Sequence, residues 1–246
     1  MFAPLRPLAA CVMMAALALP ALAPPARADQ TDKIIFDVSL QGIPAGRLSI
    51  EGKIAGTGYA ASGVMETTGL AGALKKIRYA GSVSGAYAGA RFTPQVFQIS
   101  SRRGDEASSQ SIRYKAGTPA SVSREPPRAP RASDVNPAKQ GGTIDPLTAL
   151  YAVLRDVAPE EACTLKVTMY DGSKRSQVAL STPQAKGEKI ICTGEYRRLA
   201  GFTEKEMAHK SRFPFTLTYA PTEAGRLRVV EISTDTILGK GRLKRR

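Results

Sequence analysis

The chain has 246 residues and a net charge of +14, and hydrophobic residues make up 43% of it. This length allows one large domain or two small ones. The absence of tryptophan and the aromatic content of 6% argue against an aromatic platform that stacks on sugars or on single-stranded nucleic acid.

The first 28 residues have the pattern of a secretory signal peptide. Arg6 supplies the positive start, residues 8–19 form an apolar run, and Ala28 ends a small-x-small motif that signal peptidase recognises. We expect cleavage after Ala28, with Ala23 as the alternative, and a location in the periplasm. Cys11 lies before most of the apolar run, so we interpret it as part of the signal and not as a lipoprotein anchor. The run is also shorter than the roughly 20 apolar residues of a membrane span.

Alternation of apolar and polar residues dominates the rest of the chain. Apolar residues occupy positions 34, 36, 38 and 40 in one segment and positions 48, 50 and 54 in the next. This period of two predicts half-buried antiparallel strands, and the link from Gly42 to Gly46 predicts a hairpin loop. About eleven such segments occur, most of them separated by turn residues. We therefore predict a mainly β fold, a large curled antiparallel sheet in an open-barrel or sandwich-like form, with one or two short helices.

Two segments in the middle of the chain depart from this period. Residues 124–142 contain four prolines and a Gly-Gly pair, which predicts a long crossover loop. Asp145 as N-cap and Pro146 at the first helical position predict an amphipathic helix over 145–157, which should cover an end or the open face of the sheet. We favour a single β-rich domain over residues 29–246, and two subdomains are the alternative.

Cys163 and Cys192 are the two cysteines that would remain after signal cleavage. In an exported chain an isolated pair favours a disulfide. A metal site or a redox pair is poorly supported, because the chain has no Cys-x-x-Cys motif and its one histidine is His209. In a simple three-stranded meander the outer strands would lie about 9.6 Å apart, which is too far for the bridge. Cys163 should therefore lie just outside its strand, unless the strand order differs.

The sequence contains no recognisable catalytic motif. A Gly-x-Ser-x-Gly elbow, a phosphate-binding loop and a His-Glu-x-x-His motif are all missing, so we predict no enzyme activity, no cofactor and no metal. His209 belongs to a short charged helix predicted over 203–211, which Thr203 and Glu206 begin as a capping box. The acid pairs Asp171 with Glu195 and Glu204 with Glu206 would suit a glycosidase only if each pair shared a cleft.

The positive charge is concentrated at the C-terminus. Loss of residues 1–28 leaves 33 basic and 21 acidic residues, a net charge of +12. Five residues form a basic C-terminal segment that we predict to contact anionic surfaces: Lys240, Arg242, Lys244, Arg245 and Arg246. Lipid or lipopolysaccharide and a peripheral membrane contact fit this charge, whereas export disfavours nucleic acid. A basic surface that only aids solubility is the alternative.

Several blocks of the sequence resemble a known family. Residues 36–74 (FDVSLQGIPAG…), TPQVFQISSRRGD, IDPLTALY, CTLKVTMYDGSKR and ICTGEYRRLAG resemble, in order, the blocks of proteobacterial envelope proteins with domain of unknown function 3108. The resemblance implies an exported β-rich protein without assigned catalytic residues, and it supports the disulfide between the two cysteines. The basic C-terminus departs from the family pattern.

Three functional hypotheses follow from these observations. The first is a non-catalytic protein that binds an apolar or amphiphilic envelope component on the concave face of its sheet, under the capping helix. The second is an envelope scaffold or interaction protein that docks on anionic surfaces through the C-terminal residues, with a contribution from Arg124, Arg128 and Arg131. The third is a hydrolase, which has the least support. We favour a combination of the first two, in a periplasmic protein that binds an apolar or amphiphilic envelope component without catalysis. For the concave face, the alternative is that its apolar residues form an ordinary core.

Overall fold

The computed structural model describes residues 29–236 and 239–246. The predicted signal peptide, with both candidate cleavage sites and Cys11, lies outside the described residues. None of the helices in the described ranges is long and apolar enough to cross a membrane.

Thirteen antiparallel strands form one sheet with the order β7-β6-β5-β4-β3-β2-β1-β13-β12-β11-β10-β9-β8. The strands are β1 Gln30–Leu40, β2 Ile43–Ala55, β3 Gly58–Thr67, β4 Ile77–Ala88, β5 Arg91–Arg103, β6 Glu106–Lys115, β7 Thr118–Glu125, β8 Lys166–Tyr170, β9 Arg175–Lys186, β10 Lys189–Ala200, β11 Arg212–Pro221, β12 Leu227–Thr236 and β13 Gly239–Arg245. The helices of the described ranges are α1 Gly69–Leu74, α2 Pro146–Leu154 and α3 Glu204–His209, with short 3-10 turns at Pro137–Lys139 and Pro159–Glu161.

The mainly β prediction is confirmed, with two corrections in detail. The sheet has thirteen strands and not eleven, and the described residues contain three α-helices where one or two were predicted. The unpredicted helix is α1, which connects β3 to β4. It has two glycines in six residues and no side-chain cap, so its sequence carries little helical signal.

The two ends of the described chain meet in the middle of the sheet. β13 lies between β1 and β12, with Phe36 opposite Arg245 and Ile232 opposite Leu243. The two free edges are therefore β7 and β8, which follow each other in the sequence. The sheet curls until these edges approach, but it is not closed by strand pairing.

The β1–β2 hairpin is tighter than predicted. Its turn consists of Gln41 and Gly42, both with positive φ values of 50° and 82°, and β2 begins at Ile43. Two consecutive left-handed residues match the right-handed twist of the flanking strands, which explains why the loop predicted over 42–46 is wrong. Ile43 pairs with Leu40, and the register shifts between Val38 and Ser39, where β2 has one extra residue, Ala45.

The predicted apolar face of β1 and β2 forms the concave side of the sheet. Ile34 and Phe36 are fully buried, and Leu48, Ile50 and Ile54 join them in the main core. Side chains on the opposite, convex side of these strands are mostly exposed or half-buried, as period-two alternation requires.

Helix α2 fills the space inside the curl. Asp145 is its N-cap and Pro146 its first residue, as predicted, but the helix ends at Leu154 and not at 157. Seven of its nine residues are buried, so it is enclosed and not amphipathic. Leu147 packs over Gly63 and Gly81 of the sheet, and Ala149 packs with Met169 of β8 on the other side. The concave face of β2 to β4 is thus occupied by the chain itself.

The segments around α2 and α3 fit the local predictions. Of the loop predicted over 124–142, Arg124 and Glu125 belong to β7, and the rest is irregular apart from the 3-10 turn. Thr203 accepts a hydrogen bond from the Glu206 amide at 3.2 Å, and the Glu206 carboxylate accepts one from the Thr203 amide at 2.8 Å. The predicted capping box is confirmed.

Candidate ligand-binding cleft

The gap between the free edges β7 and β8 is closed along only part of its length. Gln110 of β6 donates a hydrogen bond to the carbonyl of Asp171 at 2.7 Å, and Arg124 of β7 donates one to the carbonyl of Gly172. These contacts tie the β8–β9 turn to the opposite edge. Toward the other end of the strands the segment before α2 lies between the two edges, with the Gly142 amide donating to the Gly117 carbonyl at 2.9 Å, and a cleft remains beside it.

We call this opening the edge cleft and define it by four wall segments. They are residues 89–94 at the β4–β5 turn, 116–117 at the β6–β7 turn, 142–144 before α2, and 164–168 at the start of β8. Its volume is about 660 Å³. That volume lies within the range of small-molecule binding sites.

The walls of the edge cleft combine apolar and basic side chains. The apolar ones are Phe92, Pro94, Ile144, Leu165 and Val167. The charged residues in this lining are Arg91 and Lys166, both basic and both exposed. The lining also contains four threonines, at positions 93, 143, 164 and 168. This mixture of apolar, hydroxyl and basic groups fits a molecule that has an apolar part and an anionic polar group.

The edge of β8 contributes backbone groups to the cleft. The Ile144 amide donates to the Thr168 carbonyl at 3.0 Å, and the Tyr170 amide donates to the Ile144 carbonyl at 2.9 Å. Backbone groups of alternate residues in an antiparallel strand point to the same side. The N–H and C=O of Lys166 therefore point toward the cleft, beyond the part of the edge that Ile144 covers.

A buried carboxyl group lies directly behind the cleft wall. Asp145 follows Ile144 and accepts a hydrogen bond from the Thr148 amide at 2.9 Å, and the Thr148 hydroxyl is 2.7 Å from that of Tyr59. Burial raises the pKa of Asp145 to about 6, against the smaller opposing effect of its bonds with Thr148. Burial, with a smaller effect of Asp145, also raises the pKa of the Tyr114 hydroxyl.

A second polar network fixes the other end of α2. The Tyr151 hydroxyl donates to Asp32 at 2.8 Å, and Asp32 also accepts from the Gln30 side chain at 2.9 Å and from the Asp156 amide at 3.2 Å. Asp32 and Tyr151 are 4% and 0% exposed. Because buried polar groups are costly without partners, this network specifies one position for the helix inside the sheet.

The C-terminal strand contributes to that network, which corrects one predicted site residue. Arg245 lies on the concave side opposite Phe36, its side chain is 7% exposed, and its guanidinium is 3.6 Å from the Asp156 carboxylate. Burial lowers the pKa of Arg245. Asp156 also forms an ion pair with Arg228 at 2.6 Å. The prediction that Arg245 contacts an anionic surface is wrong, because its charge faces the interior.

The other four residues of the basic C-terminal segment are exposed on β13 or at its end. Arg242 pairs with Glu231 at 3.3 Å and Arg246 with Asp37 at 2.7 Å. Lys244 lies opposite Glu231 of β12 on one side and opposite Asp37 of β1 on the other, and Lys240 lies opposite Asp235 of β12. Much of the positive charge of the segment is thus balanced by neighbouring strands. Contact of these four residues with an anionic surface stays a prediction.

Arg124, Arg128 and Arg131 were predicted to contribute to the same anionic-surface contact as the C-terminal residues. The three side chains differ in their surroundings. The Arg128 side chain forms an ion pair with Asp134 at 2.8 Å, and Arg124 contacts the Gly172 carbonyl as described above. Arg131 is exposed. They do not add a uniform basic surface to the C-terminal segment.

The disulfide between Cys163 and Cys192 is confirmed, with a Cα–Cα distance of 5.4 Å. Strands β8, β9 and β10 do form a meander, and Cys163 lies three residues before β8, as the geometric argument required. The next residue, Thr164, begins the 164–168 wall of the edge cleft. The bridge therefore anchors this wall to β10.

The acid pairs do not assemble a hydrolytic site. Asp171 accepts amide hydrogen bonds from Ser173 at 2.9 Å and Lys174 at 2.7 Å, which makes it a turn residue. Glu195 pairs with Arg197 and Arg212, and Glu206 pairs with Lys174 besides capping α3. Within residues 29–236 and 239–246, no three His, Cys, Asp or Glu side chains are grouped so as to hold a metal ion.

A model of a known protein family matches most of the chain. The family described as "Protein of unknown function (DUF3108)" matches residues 35–232. The chain belongs to this family. The match covers most of the sheet and both cysteines of this DUF3108 protein, and it confirms the resemblance seen in the sequence blocks. No curated protein matches the chain.

The solved structures that match the chain include a protein of another family of unknown function. It is the "Beta-barrel-like Protein of Domain of Unknown Function DUF1849 from Brucella abortus", which has 11% sequence identity and a TM-score of 0.45. The similarity covers 88% of this chain and 95% of that chain.

The edge cleft was not predicted from the sequence of the DUF3108 protein. Its walls come from four segments that are far apart in the chain, and each segment is short. The signals that could have pointed to it are the end of strand pairing at β7 and the Pro-rich crossover that follows. Both features indicate that β7 and β8, which are consecutive in the sequence, do not pair and lie at opposite edges of the sheet.

Proposed function

We propose that this protein binds an anionic amphiphile of the cell envelope in the edge cleft, without catalysing a reaction on it. The observation that carries the proposal is the lining of the cleft, in which apolar side chains of β5, β8 and residue 144 lie beside Arg91 and Lys166. A lipid or a lipopolysaccharide-like molecule has the matching combination of an acyl chain and an anionic group.

The position of α2 moves the proposed ligand away from the place the sequence suggested. The concave face of β2 to β4 is filled by Leu147 and Tyr151, so an acyl chain has no room there without displacing the helix. The edge cleft borders this packed core, because Phe92 of its lining also lies 5.9 Å from the Tyr151 ring, measured between ring centroids. Ile144, directly before α2, is another residue of the lining.

A periplasmic location is part of the proposal. The N-terminal sequence has the features of a cleaved signal, and the disulfide is a feature of oxidising compartments. The absence of a catalytic constellation among the candidate acids supports binding rather than hydrolysis.

The test is calorimetric titration with single-chain probes below their critical micelle concentrations. The protein should bind dodecyl phosphate at least about tenfold more tightly than dodecyltrimethylammonium, because the two probes share a dodecyl chain and their head groups have opposite charges. The double variant Arg91→Glu/Lys166→Glu should reverse this preference.

The matched control is Lys186→Glu/Lys189→Glu, which makes the same charge change at the tip of the β9–β10 hairpin. Lys186 lies six residues further along β9 than Leu180, which bonds to Leu165 of the cleft wall, and neither lysine is part of the cleft lining. This control should leave the affinity for dodecyl phosphate within about twofold of the wild type. Equal losses in the two double variants would assign the effect to overall charge. If dodecyl phosphate does not bind to the wild type, the proposal is overturned.

A further inference from the structure

The end of the molecule opposite the edge cleft exposes large apolar side chains. Successive turns of an antiparallel meander alternate between its two ends, so the β1–β2 turn, α1 and the β5–β6 turn lie away from the β4–β5 and β6–β7 turns of the cleft. Among the described residues the two most exposed large apolar side chains are Leu74 at 90% and Leu70 at 72%, both in α1. Ile43, beside the β1–β2 turn, is 54% exposed.

Helix α1 is held firmly against the sheet, so its leucines are displayed by a fixed scaffold. The Thr68 amide donates to the Ala45 carbonyl of β2 at 3.2 Å. The Thr67 hydroxyl donates to the Lys75 carbonyl at 2.9 Å, and the Lys76 carbonyl accepts from the Gly104 amide of the β5–β6 turn at 2.9 Å. Both ends of the helix are tied to neighbouring strands.

The arrangement of α1 separates an apolar surface from a basic one. Leu70 and Leu74 are four residues apart and therefore lie on the same side of the helix. Lys75 and Lys76 follow directly and are exposed. Lys240 lies beside the β1–β2 turn, because its carbonyl accepts a hydrogen bond from the Gln41 amide at 2.9 Å. We call Ile43, Leu70, Leu74, Lys75 and Lys76 the apolar tip.

Acidic residues near the apolar tip do not cancel its charge. Glu66 is paired with Arg78, and Asp105 and Glu106 at the β5–β6 turn are balanced by Arg102 and Arg103. The charges of Lys75 and Lys76, next to the exposed leucines, therefore leave a net positive charge at the tip.

We infer that the apolar tip docks the protein on an anionic lipid bilayer. Large exposed apolar side chains are stabilised when they enter the boundary between head groups and acyl chains, and adjacent lysines are attracted by anionic head groups. The six-residue helix α1 is far too short to cross a bilayer, so the contact is peripheral. This surface shares no residue with the predicted C-terminal one.

The inference is independent of the proposed ligand site, because the apolar tip and the edge cleft lie at opposite ends of the strands. Docking at the tip would leave the cleft facing away from the bilayer. Variants of the tip should therefore bind dodecyl phosphate with the affinity of the wild type.

The test is co-sedimentation with vesicles of phosphatidylcholine that contain about 30% phosphatidylglycerol, compared with phosphatidylcholine alone. The wild type should bind the anionic vesicles more strongly. Leu70→Ser/Leu74→Ser should lower the partition coefficient by roughly tenfold for each leucine. Lys75→Glu/Lys76→Glu should remove the preference for anionic vesicles, whereas Lys186→Glu/Lys189→Glu should not.

A tryptophan reporter shows which surface enters the bilayer, because the chain has no tryptophan of its own. Emission of Leu74→Trp should shift to shorter wavelength when the anionic vesicles are added. Emission of Thr57→Trp, in the exposed β2–β3 turn at the other end, should not shift. No sedimentation of the wild type, or equal shifts of the two reporters, would overturn the inference.

Discussion

The ring of Tyr151 occupies the space where residue 52 would carry a side chain. A Cβ atom at Gly52 would lie 2.7 Å from Cδ2 of Tyr151 and nearer still to two other ring carbons. Tyr151 is fully buried, and its hydroxyl is held by Asp32. The missing side chain of Gly52 thus makes room for the interior helix.

Gly52→Ala should lower the free energy of unfolding by roughly 3 kcal/mol, because the ring cannot move without breaking its bond to Asp32. Gly58→Ala is the matched control, since its Cβ would meet its nearest neighbour at 3.6 Å. Urea unfolding measures both. In a Tyr151→Ala background the cost of Gly52→Ala should disappear, and a cost that persists would mean that the ring is not its cause.

Asp145 should make stability depend on pH in the acid range. Its pKa is raised by burial to about 6 in the folded state, against an ordinary value of 3.8. The folded state therefore holds the proton more tightly, and stability falls as pH rises through this window by roughly 3 kcal/mol. Asp145→Asn keeps a good N-cap but cannot ionise. The stability of this variant relative to the wild type should increase between pH 4 and pH 7.

Glu206 provides a control of opposite sign for that experiment. The hydrogen bond with Lys174 lowers the pKa of this carboxyl to about 2, so its contribution is lost as pH falls below the ordinary value of 4.5. Glu206→Gln should therefore differ most from the wild type at neutral pH and least in acid. Similar pH profiles for the two variants would contradict the assignment of the Asp145 shift to burial.

Local patterns predicted local structure well. The alternation around Ile34 and Phe36, the N-cap and proline at Asp145 and Pro146, and the capping box of Thr203 all depend on neighbours within a few residues. The pairing of the two cysteines followed from their number and from the predicted export of the chain. These features need no knowledge of how distant strands pair.

The features that were missed depend on long-range pairing. β13 pairs with β1 across about two hundred residues, so nothing near Arg245 in the sequence shows that it faces the core. In this strand Leu243 is the one apolar residue, and all the others are charged residues or glycines. The strand therefore has no alternating apolar pattern from which its concave side could be predicted. The enclosure of α2 and the opening of the edge cleft follow from the same closure of the sheet.

Arg245 should be important for stability and its neighbour Lys244 should not. Arg245→Met removes a buried ion-pair partner of Asp156, although Arg228 remains, and should cost roughly 1–3 kcal/mol. Lys244→Met changes an exposed side chain on the convex side and should stay within about 0.5 kcal/mol. Equal effects in urea unfolding would contradict the burial of Arg245.

Deletion of residues 240–246 would remove a central strand and should abolish folding, so it cannot test surface binding.

The disulfide should stabilise the whole fold and, in addition, the wall of the edge cleft. The bridge joins residues 29 positions apart. In the chain-entropy model, a cross-link that closes a loop of this size stabilises the folded state by roughly 3 to 4 kcal/mol. Cys163→Ala/Cys192→Ala should lower the free energy of unfolding by about that amount. Dithiothreitol should destabilise the wild type similarly and leave the double variant unchanged.

The local effect of the bridge can be measured separately by amide hydrogen exchange. Leu165 to Thr168 follow the bridged Cys163 at a sheet edge, with Ile144 as the strand-like neighbour, so they should exchange faster once the bridge is lost. Residues 48–54 of β2, paired on both sides and far from the bridge, serve as the internal reference. A uniform increase in both segments would mean that the bridge acts only on global stability. Faster exchange confined to the 165–168 segment would show that the bridge holds this wall of the cleft in place.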